Sequence, residues 1–344
     1  MPEVKWNETK LALVKAHLEQ GLTVPEVAKK IKETPDALDH VIRKHNLRKD
    51  IPARAKKEQP QVIDLEAMNE KNFDELKKAA KLQWDIKETK LAANKDKGFK
   101  TYLVVTDIHV PHQNVPAVKS ILKLMDDIKF DGLVNMGDFL DCGCISHWNK
   151  TRHKTVEGQR LKADFINANS LLDEFDKRLP KGAEKYYLCG NHELWLNDIV
   201  EEYPALDGLL DLQSALFLEK RGYKFTKYND FIELGRLHLT HGMYATTNSV
   251  KKHIDELKVN VMFGHTHTIA EQLSPSAARS IALAGYNVGC LCDLAPEYAK
   301  NRANSWSHGL AIVYLWPNNY FEVDNHRILE GRFIFNGKIY DGNV

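Results

Sequence analysis

Cysteines and long apolar runs are both scarce in this sequence. Its 344 residues include only five cysteines, which are Cys142, Cys144, Cys189, Cys290 and Cys292. An odd number without regular spacing argues against the disulfide framework of a small secreted domain. No apolar stretch approaches the roughly 18 residues of a membrane-spanning helix, and no secretory signal is recognisable. We therefore expect a cytoplasmic protein with reduced thiols and no membrane partner.

The chain also lacks an excess of charge of either sign. Its 48 Lys and Arg residues nearly balance 47 Asp and Glu residues, so the net charge is +1 and the pI is about 7.7. Whole-chain charge therefore neither favours nor excludes nucleic acid. Residues 1–60 differ, because 13 Lys and Arg stand there against 9 Asp and Glu. This local positive charge favours DNA as a partner of the N-terminal region.

Five short apolar runs each end at residue types that bind metals. The residues that follow the successive runs are Asp107 and His109, then Asp138, then Asn191, then His241, and finally His265 and His267. In an open α/β sheet, the ligand crevice lies beyond the carboxyl ends of the strands, which brings together residues that are distant in sequence. We therefore expect these seven side chains to form one metal site.

The donor types narrow the choice of metal. Oxygen and imidazole donors without cysteine favour borderline divalent ions, with manganese first and iron, zinc or nickel as alternatives. All-oxygen magnesium or calcium sites and thiolate zinc sites fit this set poorly. Seven ligands are too many for one ion. Two ions ~3.5–4 Å apart that share one carboxylate would clamp the attacking and leaving oxygens of a phosphoryl group during in-line displacement.

From about Lys100 to the C-terminus the sequence resembles the calcineurin-like metallophosphoesterases. The motifs D-x-H, G-D-x-x-D, G-N-H-E, H-G and G-H-T-H occur in that family's order. The tail segments Gly289-Cys290-Leu291 and Trp306-Ser307-His308-Gly309 resemble members from bacteriophages and prophages. The resemblance implies an α/β fold, namely a four-layer α/β/β/α sandwich, and a location in a bacterium or a phage-infected host cell. The apolar runs after residue 280 are predicted to complete the second sheet.

The resemblance also implies roles for individual residues. One metal would be held by Asp107, His109 and His267, the other by Asn191, His241 and His265, and Asp138 would bridge them. His192 would donate to the phosphate or the leaving group, and Asp141 would orient His192. An acid at position 141 is also typical of a solvated or capping side chain.

Substrate contacts are predicted in the irregular basic segment 141–160, which directly follows a predicted ligand. The candidates are Arg152 and His153, together with His112 from the loop of the first motif, although His112 equally fits a turn without a function. An alternative role for this segment is a structural zinc site formed by Cys142, Cys144 and His147. No second pair of ligands for such a site lies nearby in sequence.

Apolar residues at helical spacing predict three helices between residues 7 and 47. Thr34 and Pro35 are typical of the cap and first turn of the third helix. We expect residues 1–48 to form a small all-α, helix-turn-helix-like domain. Its third helix would present to DNA the side chains of His40, Arg43 and Lys44. A small bundle that contacts protein is the alternative.

The remaining boundaries follow from composition. Residues 49–99 are predicted to form a basic linker and a long amphipathic helix, which packs on the catalytic domain or on a second copy in a homodimer. Residues 100–344 would be the phosphoesterase domain.

We expect a dinuclear phosphodiesterase or nuclease acting on DNA or other nucleic acid. Two alternatives stay open: a phosphatase acting on phosphoproteins, nucleotides or small phosphoesters, and a DNA-binding regulator whose metal centre is not catalytic.

Overall fold

The computed structural model describes residues 6, 8–19, 24–47, 98–151, 154, 156–275, 282–295 and 304–344. The chain forms two units, Met1–Val62 and Ile63–Val344. The predicted linker and amphipathic helix, up to residue 97, lie outside the described residues, as do Arg152 and His153. No helix in the described ranges combines the length and the apolar character needed to cross a bilayer.

The described residues of the N-terminal unit form the predicted helices, α1 (Glu8–Glu19), α2 (Val24–Ile31) and α3 (Pro35–Lys44). The hydroxyl of Thr34 accepts a hydrogen bond from the backbone N–H of Ala37 at 3.3 Å, which caps α3. The helices enclose a core of Val14, Leu18, Val27, Ala28, Leu38 and Ile42. Helices this short are marginal alone, so this shared core is what stabilises them.

The described residues of the second unit form alternating strands and helices at first and then a series of strands. In chain order they are β1 (Lys100–Val105), α4 (Val115–Asp127), β2 (Gly132–Asn135), α5 (Leu161–Arg178), β3 (Glu184–Leu188), α6 (Asn191–Glu202), α7 (Leu212–Ala215), α8 (Leu218–Arg221), β4 (Tyr223–Thr226), β5 (Ile232–Leu234), β6 (Leu237–Leu239), α9 (Ser249–Leu257), β7 (Asn260–Phe263), β8 (Ile269–Ser274), β9 (Leu283–Val288), β10 (His308–Leu315), β11 (Phe321–Ile328), β12 (Arg332–Phe335) and β13 (Lys338–Asp341). Short 3-10 turns at Gly143–Ile145, His147–Asn149 and Pro204–Leu206 lie between them.

Two sheets face each other in this unit. The first has the order β11-β10-β1-β2-β3-β4, with β1 to β4 parallel. The second has the order β5-β6-β7-β9-β8, with β6, β7 and β9 parallel. Alternate residues of β1 enter different cores, since Leu103 packs with α4 and α5 whereas Val104 packs with the second sheet. Phe263 of β7 packs with α9 on the outer face of the second sheet. The predicted four-layer α/β/β/α sandwich is thereby confirmed.

The C-terminal strands meet our expectation only in part. The apolar runs after residue 280 were expected to complete the second sheet, and β9 does join it, pairing with β7 and β8. In contrast, β10 pairs antiparallel with β1, placing Leu315 opposite Lys100, and β11 extends the same first sheet. Six consecutive residues of β10 are buried, so its apolar pattern does not distinguish one sheet from the other. Strands β12 and β13 form a separate hairpin that turns at Asn336 and Gly337.

Candidate metal centre

The loops after five strands meet at one edge of the sandwich. They carry Asp107 and His109 after β1, Asp138 after β2, Asn191 after β3, His241 after β6, and His265 and His267 after β7. Backbone hydrogen bonds join neighbouring loops, from the N–H of Asp107 to the carbonyl of Gly137 at 3.0 Å and from Gly264 to His241 at 2.8 Å. The structure therefore brings together all seven predicted ligands.

One half of the cluster is built around Asp107. Its carboxylate accepts hydrogen bonds from the hydroxyl of Thr106 at 2.5 Å and from the backbone N–H of His265 at 2.9 Å. Nε2 of His267 lies 3.1 Å from Oδ1 of Asp107 and 3.2 Å from Nε2 of His109. Two imidazole nitrogens and a carboxylate oxygen thus converge on one point.

The other half is built around His241, which is fully buried. Its Nδ1 donates to the backbone carbonyl of Met136 at 3.1 Å. That bond leaves Nε2 facing Oδ1 of Asn191 at 3.0 Å and Oδ2 of Asp138 at 3.3 Å. A hydrogen bond of this kind on the outer nitrogen fixes the tautomer that presents the inner nitrogen to a metal.

Asp138 lies between the two halves. It belongs to one group with Asp107 and His109 and to another with His241 and His265. Within each group, one ligand atom from every residue lies within 4.8 Å of the others. No other predicted ligand is shared between these two groups in the described part of the chain, which is the position expected of a bridging carboxylate.

The backbone at the cluster is strained. Five of the predicted ligands have φ angles between 48° and 63°, which is the left-handed region that residues other than glycine rarely adopt: Asp107, His109, Asp138, His265 and His267. Such conformations persist only where the surrounding structure holds them, and they concentrate at functional sites. The strain is therefore independent support for a functional role of this edge.

Glycines of the motifs let the backbone approach the acids closely. A Cβ atom at Gly190 would lie 2.1 Å from Oδ1 of Asp138, and one at Gly264 would lie 2.1 Å from Oδ2 of Asp107. Any larger residue at either position would displace a carboxylate. The glycine of G-N-H-E and the first glycine of G-H-T-H are thus required by sterics around the cluster.

The electrostatics of the cluster favour cations. Burial lowers the pKa of His241, but the negative charges of Asp138 and Asp107 outweigh it and raise that pKa to about 10. Burial likewise opposes protonation of His267, and Asp107 outweighs it and raises the pKa to about 10. The buried acids therefore attract positive charge to imidazoles that bind metals when neutral. Divalent cations supply that charge without protons, so this nitrogen and oxygen donor set fits them.

His192 lies at the edge of the cluster. Its Nδ1 donates to the backbone carbonyl of Asp141 at 2.6 Å, and its Nε2 lies 3.8 Å from Oδ2 of Asp138. We expected Asp141 to orient His192, and the hydrogen bond between them is made by the backbone carbonyl of Asp141, while its carboxylate Oδ1 lies 3.7 Å from Nδ1 of His192. The same Oδ1 lies 3.2 Å from Nδ1 of His109. Asp141 therefore contacts both a predicted ligand and the predicted proton donor.

Glu193 is a residue to which the sequence analysis assigned no role. Its side chain is buried and accepts hydrogen bonds from the backbone N–H groups of Asp138, Phe139, Leu140 and Gly190 and from the hydroxyl of Tyr187. It joins the loop after β2 to the start of α6, and so holds Asp138 and Asn191 in place. One feature of the sequence could have indicated this role: Glu193 is an acid at the third position of a helix that begins within a ligand motif.

The predicted substrate contacts are only partly described. Nε2 of His112 lies 3.7 Å from Oδ2 of Asp141, and 48% of its side chain is exposed. Arg152 and His153 lie outside the described residues. Within the described ranges, the alternative zinc set of Cys142, Cys144 and His147 is not among the groups close enough to hold an ion.

The predicted DNA contacts belong to the N-terminal unit. His40, Arg43 and Lys44 are all exposed on α3. Arg43 forms an ion pair with Asp39 one turn earlier on the same helix. All three side chains are exposed to solvent, and the charge of Arg43 is partly compensated by Asp39.

The sequence pattern of the calcineurin-like phosphoesterases matches residues 100–269, a range that contains every predicted metal ligand. The Gene 54 protein of Mycobacterium phage L5 is 22% identical over 255 residues, which cover 70% of this chain and 99% of that protein. The Gene 54 protein of Mycobacterium phage D29 is 23% identical over 260 residues, with the same coverage.

Solved structures of Vps29 also align with this chain. A mutant of Vps29 from Entamoeba histolytica aligns with a TM-score of 0.37 and 11% identity, covering 70% of this chain and 96% of that chain. Vps29 from Cryptosporidium parvum aligns with a TM-score of 0.34 and 13% identity, covering 71% of this chain and 95% of that chain.

Proposed function

We propose that this chain, a calcineurin-like phosphoesterase of the type found in bacteriophages, hydrolyses phosphodiester bonds of nucleic acid with two divalent cations. The observation that carries this proposal is the position of Asp138 between two groups of ligand atoms. A carboxylate shared in this way would hold two cations close together, as in sites that hydrolyse phosphoesters with two metals. Manganese is the first candidate because the carboxylate and amide oxygens suit it, while the imidazole nitrogens keep iron, zinc and nickel as alternatives.

Two such cations would supply Lewis acidity and an activated water for in-line attack on phosphorus. The chain's own residues would hold the proton donor in position and protonate the leaving oxygen. Because Nδ1 of His192 is held by the carbonyl of Asp141, protonated His192 presents its Nε2–H at the edge of the cluster. We take this proton to be the one that is transferred to the leaving oxygen as the bond to phosphorus breaks.

Nucleic acid is proposed as the substrate because of the N-terminal unit. Its third helix exposes His40, Arg43 and Lys44, and residues 1–60 carry a net charge of +4. A DNA-binding unit in the same chain raises the local concentration of DNA at the catalytic domain, even without contributing to the chemistry. A phosphodiester bond of DNA is therefore the substrate that uses both units.

The test is Mn²⁺-dependent hydrolysis of labelled single- and double-stranded DNA beside a generic phosphomonoester. Asp138→Asn is the blank, because it keeps the size of the side chain and removes the shared charge. Cleavage of DNA by the wild type and none by the variant would support the proposal. Turnover of the monoester alone would replace it with a phosphatase. Activity retained by Asp138→Asn would reject the bridging role, and DNA binding without any hydrolysis would favour a regulator.

A further inference from the structure

A row of aromatic rings leads from the metal centre to the surface of the catalytic domain. The ring of His192 lies 4.4 Å from that of His109 and 4.2 Å from that of Trp195, measured between centroids. His147 follows at 5.7 Å from Trp195, and Trp148 packs on His147 at 4.4 Å. The row therefore begins at a predicted ligand, passes the predicted proton donor and ends at an indole.

The two tryptophans of this row differ sharply in exposure. Trp195 is 7% exposed and belongs to the main core, whereas Trp148 is 72% exposed. Removing an indole from water is strongly favourable. Because Trp148 stays exposed in the folded chain, most of that free energy is still available for binding a ligand. The ring of His147, tilted by 42°, lies against Trp148. An indole supported by a neighbouring ring and otherwise open is a surface on which a flat ligand can stack.

We call the open face of Trp148 with its support His147 the ledge. The segment that contains both residues, 146–149, is fixed by hydrogen bonds. The buried hydroxyl of Ser146 accepts from the backbone N–H of Trp148 at 3.3 Å, and the side-chain amide of Asn149 donates to the carbonyl of Gly143 at 3.0 Å. Gly143 in turn lies against the Asp141 carboxylate, since a Cβ there would be 2.7 Å from Oδ2. The ledge is therefore fixed relative to the metal centre, and stacking on it would cost little ordering.

We propose that Trp148, supported by His147, stacks an unpaired nucleobase of the substrate, so that the enzyme acts on single-stranded nucleic acid or unpaired ends. The inference rests on the proposed function, because it takes the phosphate to lie at the metal centre. Bases in a duplex stack on one another and offer no face to an indole, whereas unpaired bases of any sequence do.

The charges near the ledge agree with stacking as the mode of recognition. Lys150, the described lysine that directly follows the ledge, forms an ion pair with Glu202 at 3.1 Å. Its charge is therefore partly compensated before any phosphate arrives. Among the described side chains of residues 146–150, the feature left open to a ligand is the aromatic face rather than a cluster of cations.

The test compares a thymidine oligonucleotide with an abasic oligonucleotide of the same length and charge. Binding is measured by quenching of tryptophan fluorescence or by competition, and hydrolysis is measured in parallel with Mn²⁺. Stacking of one base contributes about 1–3 kcal/mol, which corresponds to a preference of about 5- to 150-fold for the base-bearing strand. In Trp148→Ala this ratio should fall towards one, and Trp148→Phe should retain most of it.

The matched control is Trp316→Ala. Trp316 is 45% exposed, but it directly follows Leu315, which pairs with Lys100 at the start of β1. It therefore lies at the end of the first sheet opposite the metal centre, and its replacement should keep the wild-type ratio.

The possible outcomes separate the two proposals. A wild-type ratio near one, or an unchanged ratio in Trp148→Ala, would overturn the stacking role even if both strands are cut. The expected ratios in binding without hydrolysis of either strand would uphold the ledge and reject the nuclease. Hydrolysis of a blunt duplex as fast as of the thymidine strand, with both at saturating concentration so that DNA binding by the N-terminal unit does not decide the result, would overturn the single-strand preference.

Discussion

Replacement of Glu193 by glutamine tests how the metal centre is held together. One carboxylate oxygen accepts from the N–H groups of Phe139 at 2.7 Å and Leu140 at 3.0 Å and from the hydroxyl of Tyr187 at 3.1 Å. The other accepts from the N–H groups of Asp138 at 3.0 Å and Gly190 at 2.9 Å. All five partners are donors, so both oxygens of Glu193 must accept.

Glutamine offers only one accepting oxygen. In its better orientation that oxygen keeps the first three bonds, and the amide NH₂ faces the N–H groups of Asp138 and Gly190. A buried donor left without an acceptor costs about 1–3 kcal/mol, so the two together cost about 2–6 kcal/mol. Because a whole domain is stable by only about 5–15 kcal/mol, Glu193→Gln should destabilise the fold severely and displace Asp138.

The assay is urea unfolding at pH 8 in the presence of a chelator. Burial and the charge of Asp138 raise the pKa of Glu193 to about 7, so at pH 8 the wild-type side chain is mostly ionised. With an m-value of about 2 kcal/mol/M, the midpoint should fall by about 1 M or more. Glu201→Gln, at an exposed position of the same helix, should leave it unchanged. Equal midpoints for the two variants would refute the reasoning.

Three further variants, one of them a double substitution, test other parts of the chain. His192→Ala should lower turnover by about 10²–10⁴-fold with the Mn²⁺ stoichiometry unchanged, and loss of metal would instead make His192 a ligand. Burial, followed by the charge of Asp141, raises the pKa of Asp164 to about 8, against 3.8 for an ordinary Asp. The folded state then binds the extra proton between these values, so stability falls as pH rises through this window. Asp164→Asn should remove up to about 1.4 kcal/mol of this dependence per pH unit, and a slope equal to that of exposed Asp198→Asn in thermal melts from pH 5 to 8 would contradict this. Combined Arg43→Ala and Lys44→Ala should reduce the slope of log Kd for duplex DNA against log salt by about 0.9 for each phosphate that is no longer neutralised, and an unchanged slope would exclude α3 as the DNA-binding helix.

The sequence was most informative about residues that follow strands. The position of a ligand such as Asp107 or His241 depends on two local facts, an apolar run and the polar residue at its end. Parallel strands end at the same edge of the sheet, so the residues that follow them lie close together however many residues separate the strands in sequence. For this reason seven residues spread from 107 to 267 could be grouped from the sequence alone.

Features that depend on tertiary pairing could not be predicted in the same way. Strand β10 is apolar on both faces, so nothing in its pattern shows that it joins β1 rather than the second sheet. Glu193 is an acid early in a helix, and its four backbone donors come from loops whose conformation follows from the whole fold. The sequence likewise does not show which of Trp148 and Trp195 is exposed, because that depends on the packing of the core, which encloses Trp195 and leaves Trp148 outside.

The construction of the metal centre implies that metal binding should stabilise the whole domain. Left-handed backbone at five ligand positions costs about 1–2 kcal/mol for each residue, and buried carboxylates such as Asp107 and Asp138 add to this cost. Cations that bind only the folded state offset it by about 2.7 kcal/mol for each site at a hundredfold excess over Kd. Mn²⁺ should therefore raise the melting temperature of the wild type and do so less in Asp138→Asn, as measured in melts with Mn²⁺ and with chelator. If Mn²⁺ supported hydrolysis but left the wild-type melting temperature unchanged, the ion would be bound with the substrate rather than by this cluster.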